Sequence, residues 1–268
     1  MKRKRESVKE KARLYSSPRV WAVYVLLRLS VILVLIAQIF NRDFENVMLC
    51  VLTLILLVLP SFLERRLKID LPDTLEIIVL LFIYAAEILG EIRAFYVTFP
   101  FWDTMLHTLN GFLCAAIGFS LIDMLNRSNR ITFSLSPLYV ALVSFCFSMT
   151  VGVVWEFFEC LMDQVFLFDM QKDTVVAAIG SVMLDPAASN NVICIGDIQD
   201  VILVHSDGTQ QALGVGGYLD IGLLDTMEDL FVNFIGAVVF SAVGYVYIKQ
   251  RGKGRFARRF IPRVLDEP

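Results

Sequence analysis

Glu87 and Glu91, Asp103 and His107, Glu156, Glu159 and Asp163, and Asp225, Asp229 and Asn233 interrupt four otherwise apolar stretches of the chain. Within each stretch they recur every three or four residues, which puts each set on one face of a helix. Carboxylates, an imidazole and an amide carbonyl are the ligand types that suit magnesium, calcium, manganese or zinc. Paired with a histidine, carboxylates also perform general acid–base chemistry. No HExxH and no cysteine pair accompanies them, so the pattern locates a site without naming a reaction.

The expected site takes His107, Glu156 and Glu159 as catalytic candidates, with Asp103, His107, Glu156, Glu159 and Asp229 as candidate ligands of a divalent metal. Glu156 or Glu159 would be the general base, His107 an acid or a ligand, and Asp103 and Asp229 cation ligands. Counting 1.5 Å per residue, Glu156 stands roughly 28 Å from Pro137 and Asp229 roughly 30 Å from Lys249, so both lie near one edge of a bilayer core. Like charges 6 Å apart repel by about 3 kcal/mol at an effective dielectric near 20. Such a gathering must take up protons, bind a cation or find donors. The plainer alternative is that these groups cap helix ends, which fits Asp103 and Asp225 best because each opens an apolar run.

The elements that must position these residues are membrane helices. Apolar residues make up 57% of the chain, above the roughly 45 to 50% of soluble domains. They come in uncharged runs such as residues 46–63, 138–155 and 230–248, each about long enough to cross the hydrocarbon. The expected fold is an all-α integral membrane protein, a six-helix bundle with spans near 20–40, 46–63, 73–91, 103–124, 137–160 and 225–248. Asp73 and Glu76 have the spacing of a capping box at the start of the third span. Between the fifth and sixth helices, residues 161–224 form a small extracytoplasmic α/β segment. There, 173–184 reads as a short capped helix, while Val201 to Val204 and the turn Ser206-Asp207-Gly208 read as a β-hairpin.

Charge sets the orientation. Eight basic residues precede the first apolar run within 1–19, and seven follow the last within 249–268. Both ends are therefore expected in the cytoplasm of a cell-membrane protein, held by anionic headgroups, with no nucleic-acid partner. The first apolar stretch lacks a clear cleavage site and is expected to be a retained helix. Cys50, Cys114 and Cys146 fall in apolar runs as packing residues, and no spacing supports a disulfide between Cys160 and Cys194. Arg28 is a charge inside the first span, with Glu76 its expected partner or snorkelling its escape. Trp21, Trp102 and Trp155 read as interfacial anchors.

The motifs Trp102-Asp103-x-x-x-His107, Trp155-Glu156-x-x-Glu159, Met170-Gln171-Lys172 and Asp225-Thr226-Met227-x-Asp229, followed by Asn233 and Gly236-Ala237, resemble the YjdF-like family of bacterial membrane-spanning proteins. More distantly the pattern is similar to VanZ-like proteins, which have an Asp and a His opening one helix, an acidic residue ending the next, and an Asp before Asn-x-x-Gly-Ala. The resemblance implies a bacterial cell-envelope setting rather than a reaction. The long segment before Asp225 departs from the short form of that pattern.

Three functions compete on this reading. The first is an envelope enzyme acting on a lipid-linked or headgroup substrate at the outer leaflet. The second is an ion- or proton-coupled transporter, against which the shallow position of the cluster counts. The third is a non-catalytic envelope protein that binds a partner through 161–224.

Overall fold

A computed structural model describes residues 17–67, 69–127, 135–250, 254, 256–261 and 263–264. Seven of the eight basic residues at the amino end, three of the seven at the carboxyl end, and residues 128–134 lie outside that set. The chain is mostly helical, and among the described residues five helices are long and apolar enough to cross a membrane: Pro18–Asn41, Phe44–Arg66, Trp102–Asp123, Pro137–Phe166 and Leu223–Lys249. Between 22% and 50% of each apolar window is buried inside the protein. Leu26, Leu33 and Phe40 of the first helix are exposed by 70%, 68% and 82%. Faces this apolar need lipid as their solvent.

Two compact units divide the chain, residues 1–152 with 231–268 and residues 153–230. In the first, α1 (Pro18–Asn41) opens at Ser17, whose hydroxyl accepts from the Arg19 amide, with Pro18 at the first helical position. It closes at Arg42 in the left-handed conformation, and Asp43 caps α2 (Phe44–Leu56) by accepting from the Asn46 amide at 3.1 Å. The second span then breaks before α3 (Leu59–Leu67). Pro60 is the cause, since it has no N–H to give and its ring crowds the Leu56 carbonyl.

The stretch expected as the third crossing is helical throughout, as α4 (Asp73–Tyr84) followed by a π-helix over Ala85–Ile92. It is not among the five long apolar helices. The capping box does not form: α4 is preceded by Pro72 with no side-chain cap bond. The helix begins one residue earlier than that box requires, because the Glu76 amide already donates to the Pro72 carbonyl at 3.0 Å. Glu76 is instead fully buried, with neither carboxylate oxygen hydrogen-bonded among the described residues. Arg28 does not reach it either, for its guanidinium donates to the Tyr24 hydroxyl and lies 5.6 Å from the centre of that ring. The four-residue separation of Tyr24 and Arg28 on one helix makes that the nearer partner.

After α5 (Phe95–Thr98) come α6 (Trp102–Arg127), α7 (Pro137–Phe166) and α8 (Leu223–Lys249). One core cluster packs Val20, Leu27 and Val31 of α1 with Cys50, Leu80 and Ile83. Another packs Leu113, Ala116 and Phe119 of α6 with Val140, Ala237, Phe240 and Phe260. Glycines let α6 and α8 touch backbone to backbone. A Cβ on Gly111 would stand 2.1 Å from the Asn233 carbonyl oxygen, and one on Gly236 would stand 2.1 Å from that of Thr108. Small residues at the crossing are how membrane helices approach closely without hydrophobic help.

The second unit carries short antiparallel pairs. β2 (Val175–Val176) pairs with β7 (Tyr218–Leu219), β3 (Ile179–Ser181) with β4 (Ile193–Ile195), and β5 (Ile202–Val204) with β6 (Gln210–Ala212). The turn between β5 and β6 holds Gly208 at φ +84, where a side chain would be strained. Residues 173–184 are therefore strands and a 3-10 turn rather than the expected short helix. Val175, Val176 and Ile179 are branched at Cβ and find partner strands distant in sequence, which overrides the local capping signal. In the first unit β1 (Ile69–Asp70) pairs with β8 (Arg263–Val264).

Candidate functional site

Glu156 and Glu159 project from α7 and Asp229 from α8. One carboxylate oxygen from each lies within 4.8 Å of the other two, in the unit formed by residues 153–230. All three are buried, with exposures of 4%, 7% and 3%. At an effective dielectric near 20, a pair of full charges at that separation repels by about 3 kcal/mol. The centre therefore favours a proton, a cation or polarised donors. One donor is in place, as the Trp155 indole Nε1–H bonds Glu159 Oε1 at 2.8 Å. Trp155, expected as an interfacial anchor, is thus also bonded to one of the three carboxylates.

The level of the carboxylates is fixed by a clamp between the end of α7 and the start of α8. Asp163 accepts from the backbone amides of Met170 at 2.7 Å and Gln171 at 2.8 Å, turning the chain back as α7 ends. The Gln171 side-chain amide then donates to the Thr226 hydroxyl, and the Lys172 amide donates to Asp225 Oδ2 at 2.9 Å. Asp220 closes the arrangement by accepting from the amides of Thr174 and Leu224, both at 2.8 Å. Burial pulls the Asp220 carboxyl up, but these amides outweigh it and hold the group below its ordinary value. Gly222 sits at φ +74, where an added Cβ would meet Gln171 Cβ at 2.6 Å.

These contacts give two further acidic residues of the cluster structural partners. Asp163 and Asp225 serve the clamp, and Asp225 accepts from Lys172 across the chain reversal. Asp220 was missed as a candidate, although Asp-x-Gly ahead of an apolar run was a readable turn signal. Met170-Gln171-Lys172 has its role here too, since two of these residues lend backbone or side-chain donors to the opening of α8.

Asp103 and His107 belong to the other unit. His107 Nε2 stands 3.6 Å from Asp103 Oδ1, beyond hydrogen-bond length and well within Coulomb range. Asn233, expected near the site, is a packing hub: its side-chain Oδ1 accepts from Asn110 at 3.3 Å and its Nδ2 lies 3.6 Å from Met149 Sδ. Glu87 and Glu91 lie in the π-helix. Cys160 and Cys194 are both exposed free thiols.

Residues 23–189 match the family model described as "Predicted membrane protein (DUF2238)". The chain belongs to the DUF2238 family. That match and the five long apolar helices agree that it is a membrane protein. Among the candidate site residues, the DUF2238 region includes Asp103, His107, Glu156 and Glu159 and stops before Asp229. No curated protein and no solved structure matches the chain.

Proposed function

We propose that this DUF2238 protein is a cell-envelope enzyme that uses a divalent cation on a lipid-linked or headgroup substrate at the outer leaflet. The observation that carries the reading is the convergence of Glu156, Glu159 and Asp229, buried and within 4.8 Å of one another. Oxygen ligands in that number suit a hard cation such as magnesium or manganese. The cation would polarise a phosphoryl or carbonyl oxygen of the substrate, and the carboxylate not needed as ligand would take the proton from the attacking group.

In this reading Asp103 and His107 form a second polar pair within their own unit, with His107 as acid or ligand. The support is their depth counted along α6, about one helical turn apart, and the 3.6 Å contact that orients the imidazole. The reading also takes six crossings, with Asp73–Tyr84 and Ala85–Ile92 together forming the third. That count leaves both basic ends in the cytoplasm and places 161–224 outside, in keeping with the charge rule. The YjdF-like and VanZ-like resemblance adds the bacterial envelope setting.

Manganese binding tests the reading. Purified chain in micelles, titrated with Mn2+ and followed by electron paramagnetic resonance, is expected to bind one ion that magnesium displaces. Glu156→Gln and Asp229→Asn are each expected to weaken it by more than about tenfold, the size of a lost charge-assisted ligand. Binding unchanged in both variants overturns the centre. An ion-coupled transporter is the second reading, favoured by the switch from α to π geometry at Ala85 beside Glu87, since broken helices mark many transport sites. Ion flux in proteoliposomes under an imposed gradient would select it.

A further inference from the structure

Arg28 lies about 15 Å along α1 from Pro18, between the apolar stretches 20–27 and 29–37 of that helix. Its guanidinium has five N–H donors. Among the described residues it bonds one acceptor, the Tyr24 hydroxyl, and has no carboxylate partner. A cation left so in an apolar span asks for an anion.

Beside it runs a groove of about 510 Å³, lined by Arg28 and, on both sides of the Pro60 break, by Val51, Leu54, Ile55, Val58, Leu59 and Phe62. Apart from the arginine the walls are wholly apolar, and Ile55, Leu59 and Phe62 are exposed. Pro60, with no N–H to give, leaves a gap in the helix hydrogen bonds along this wall. The volume is that of a small-molecule site. Side chains of a helix lean toward its amino terminus, so Arg28 leans toward Tyr24 and the Trp21 end of α1. Trp21 is exposed by 56% and marks the headgroup level, about 5 Å from Tyr24 along the helix.

We propose that this groove is a binding site for one anionic phospholipid, with its phosphate on the Arg28 guanidinium and an acyl chain along Val51 to Phe62. A guanidinium pairs with a phosphate through two parallel hydrogen bonds, which no single hydroxyl can match. A zwitterionic lipid brings its own ammonium and leaves the arginine charge uncompensated, so the site selects for net negative headgroups. The proposal stands apart from the acidic centre, and none of its residues belongs there.

Native mass spectrometry of the full chain, released from detergent with added phosphatidylglycerol or phosphatidylcholine, tests it. Wild type is expected to retain phosphatidylglycerol about tenfold better, the scale of a charge-assisted hydrogen bond. Arg28→Gln should remove that preference while the protein keeps its helical circular dichroism. Leu54→Trp, which fills the groove and leaves the arginine in place, should lower retention of phosphatidylglycerol to the same degree. Glycerol phosphate, which has the headgroup and no chain, should not compete. Equal retention of the two lipids by wild type, undiminished phosphatidylglycerol in either variant, or full competition by glycerol phosphate overturns the proposal.

Discussion

The Trp155 indole donates to Glu159 Oε1 at 2.8 Å, four residues along the same helix, and so holds one of three clustered carboxylates in a fixed rotamer. Trp155→Phe keeps the aromatic packing on Phe158 and removes only this donor. The expected cost is about 0.5–1.5 kcal/mol, as for one ordinary hydrogen bond. If Glu159 is a cation ligand, manganese affinity should fall by a corresponding factor of about two to ten. Unchanged affinity would mean that the bond orients nothing the cation needs.

Glu156 and Asp229 come from different helices, so their coupling reports whether the centre exists in the membrane. A double-mutant cycle of Glu156→Gln and Asp229→Asn on Mn2+ affinity should give an interaction energy of about 0.5–3 kcal/mol, the range for groups sharing one ligand. Strict additivity would place the two carboxylates in separate environments.

The clamp makes a prediction about acid. Asp220 is held below its ordinary 3.8 in the folded protein, so it favours folding above that value. The contribution is lost as pH falls through the lower folded-state value. Asp220→Asn should therefore destabilise the 153–230 unit at neutral pH and make little difference in strong acid. Hydrogen exchange at the Thr174 and Leu224 amides, measured at both pH values, is the readout.

Backbone contact at the α6–α8 crossing is equally testable. Gly111→Ala puts a Cβ 2.1 Å from the Asn233 carbonyl oxygen, a backbone atom that cannot swing aside. The helices must separate, at a cost of about 1–3 kcal/mol typical of overpacking. Reversible unfolding in sodium dodecyl sulfate would measure it.

Cys194 reports topology. Its thiol is exposed and free, and with the other four cysteines replaced by serine it should react with a membrane-impermeant maleimide in intact cells if 161–224 lies outside. Labelling only after permeabilisation would remove one crossing from the six-span reading.

Long apolar runs and the residues that end them were legible from the sequence. Burial of a helix in lipid requires about twenty apolar residues in a row, a local property of the chain. The spacing of Glu156 with Glu159 was legible for the same reason, since one helix fixes the face its own residues share. The third span was harder. Asp73 and Glu76 offered a capping box, yet the helix begins at Asp73 with the Glu76 amide bonded to the Pro72 carbonyl, and the change to π geometry at Ala85 left no mark that spacing could show.

By itself, then, the sequence determined a membrane protein and the helix faces that carry its acidic groups. Which of those groups meet was decided only by the tertiary structure. Asp163, Asp225 and Asp229 are alike in type and in helical register, yet two bond backbone amides across a chain reversal and one faces Glu156 and Glu159. Periodicity sets a side chain's direction within its own helix. Its partner depends on how that helix is turned against the others, and this follows from contacts as far apart in the chain as Gln171 and Thr226 or Gly111 and Asn233.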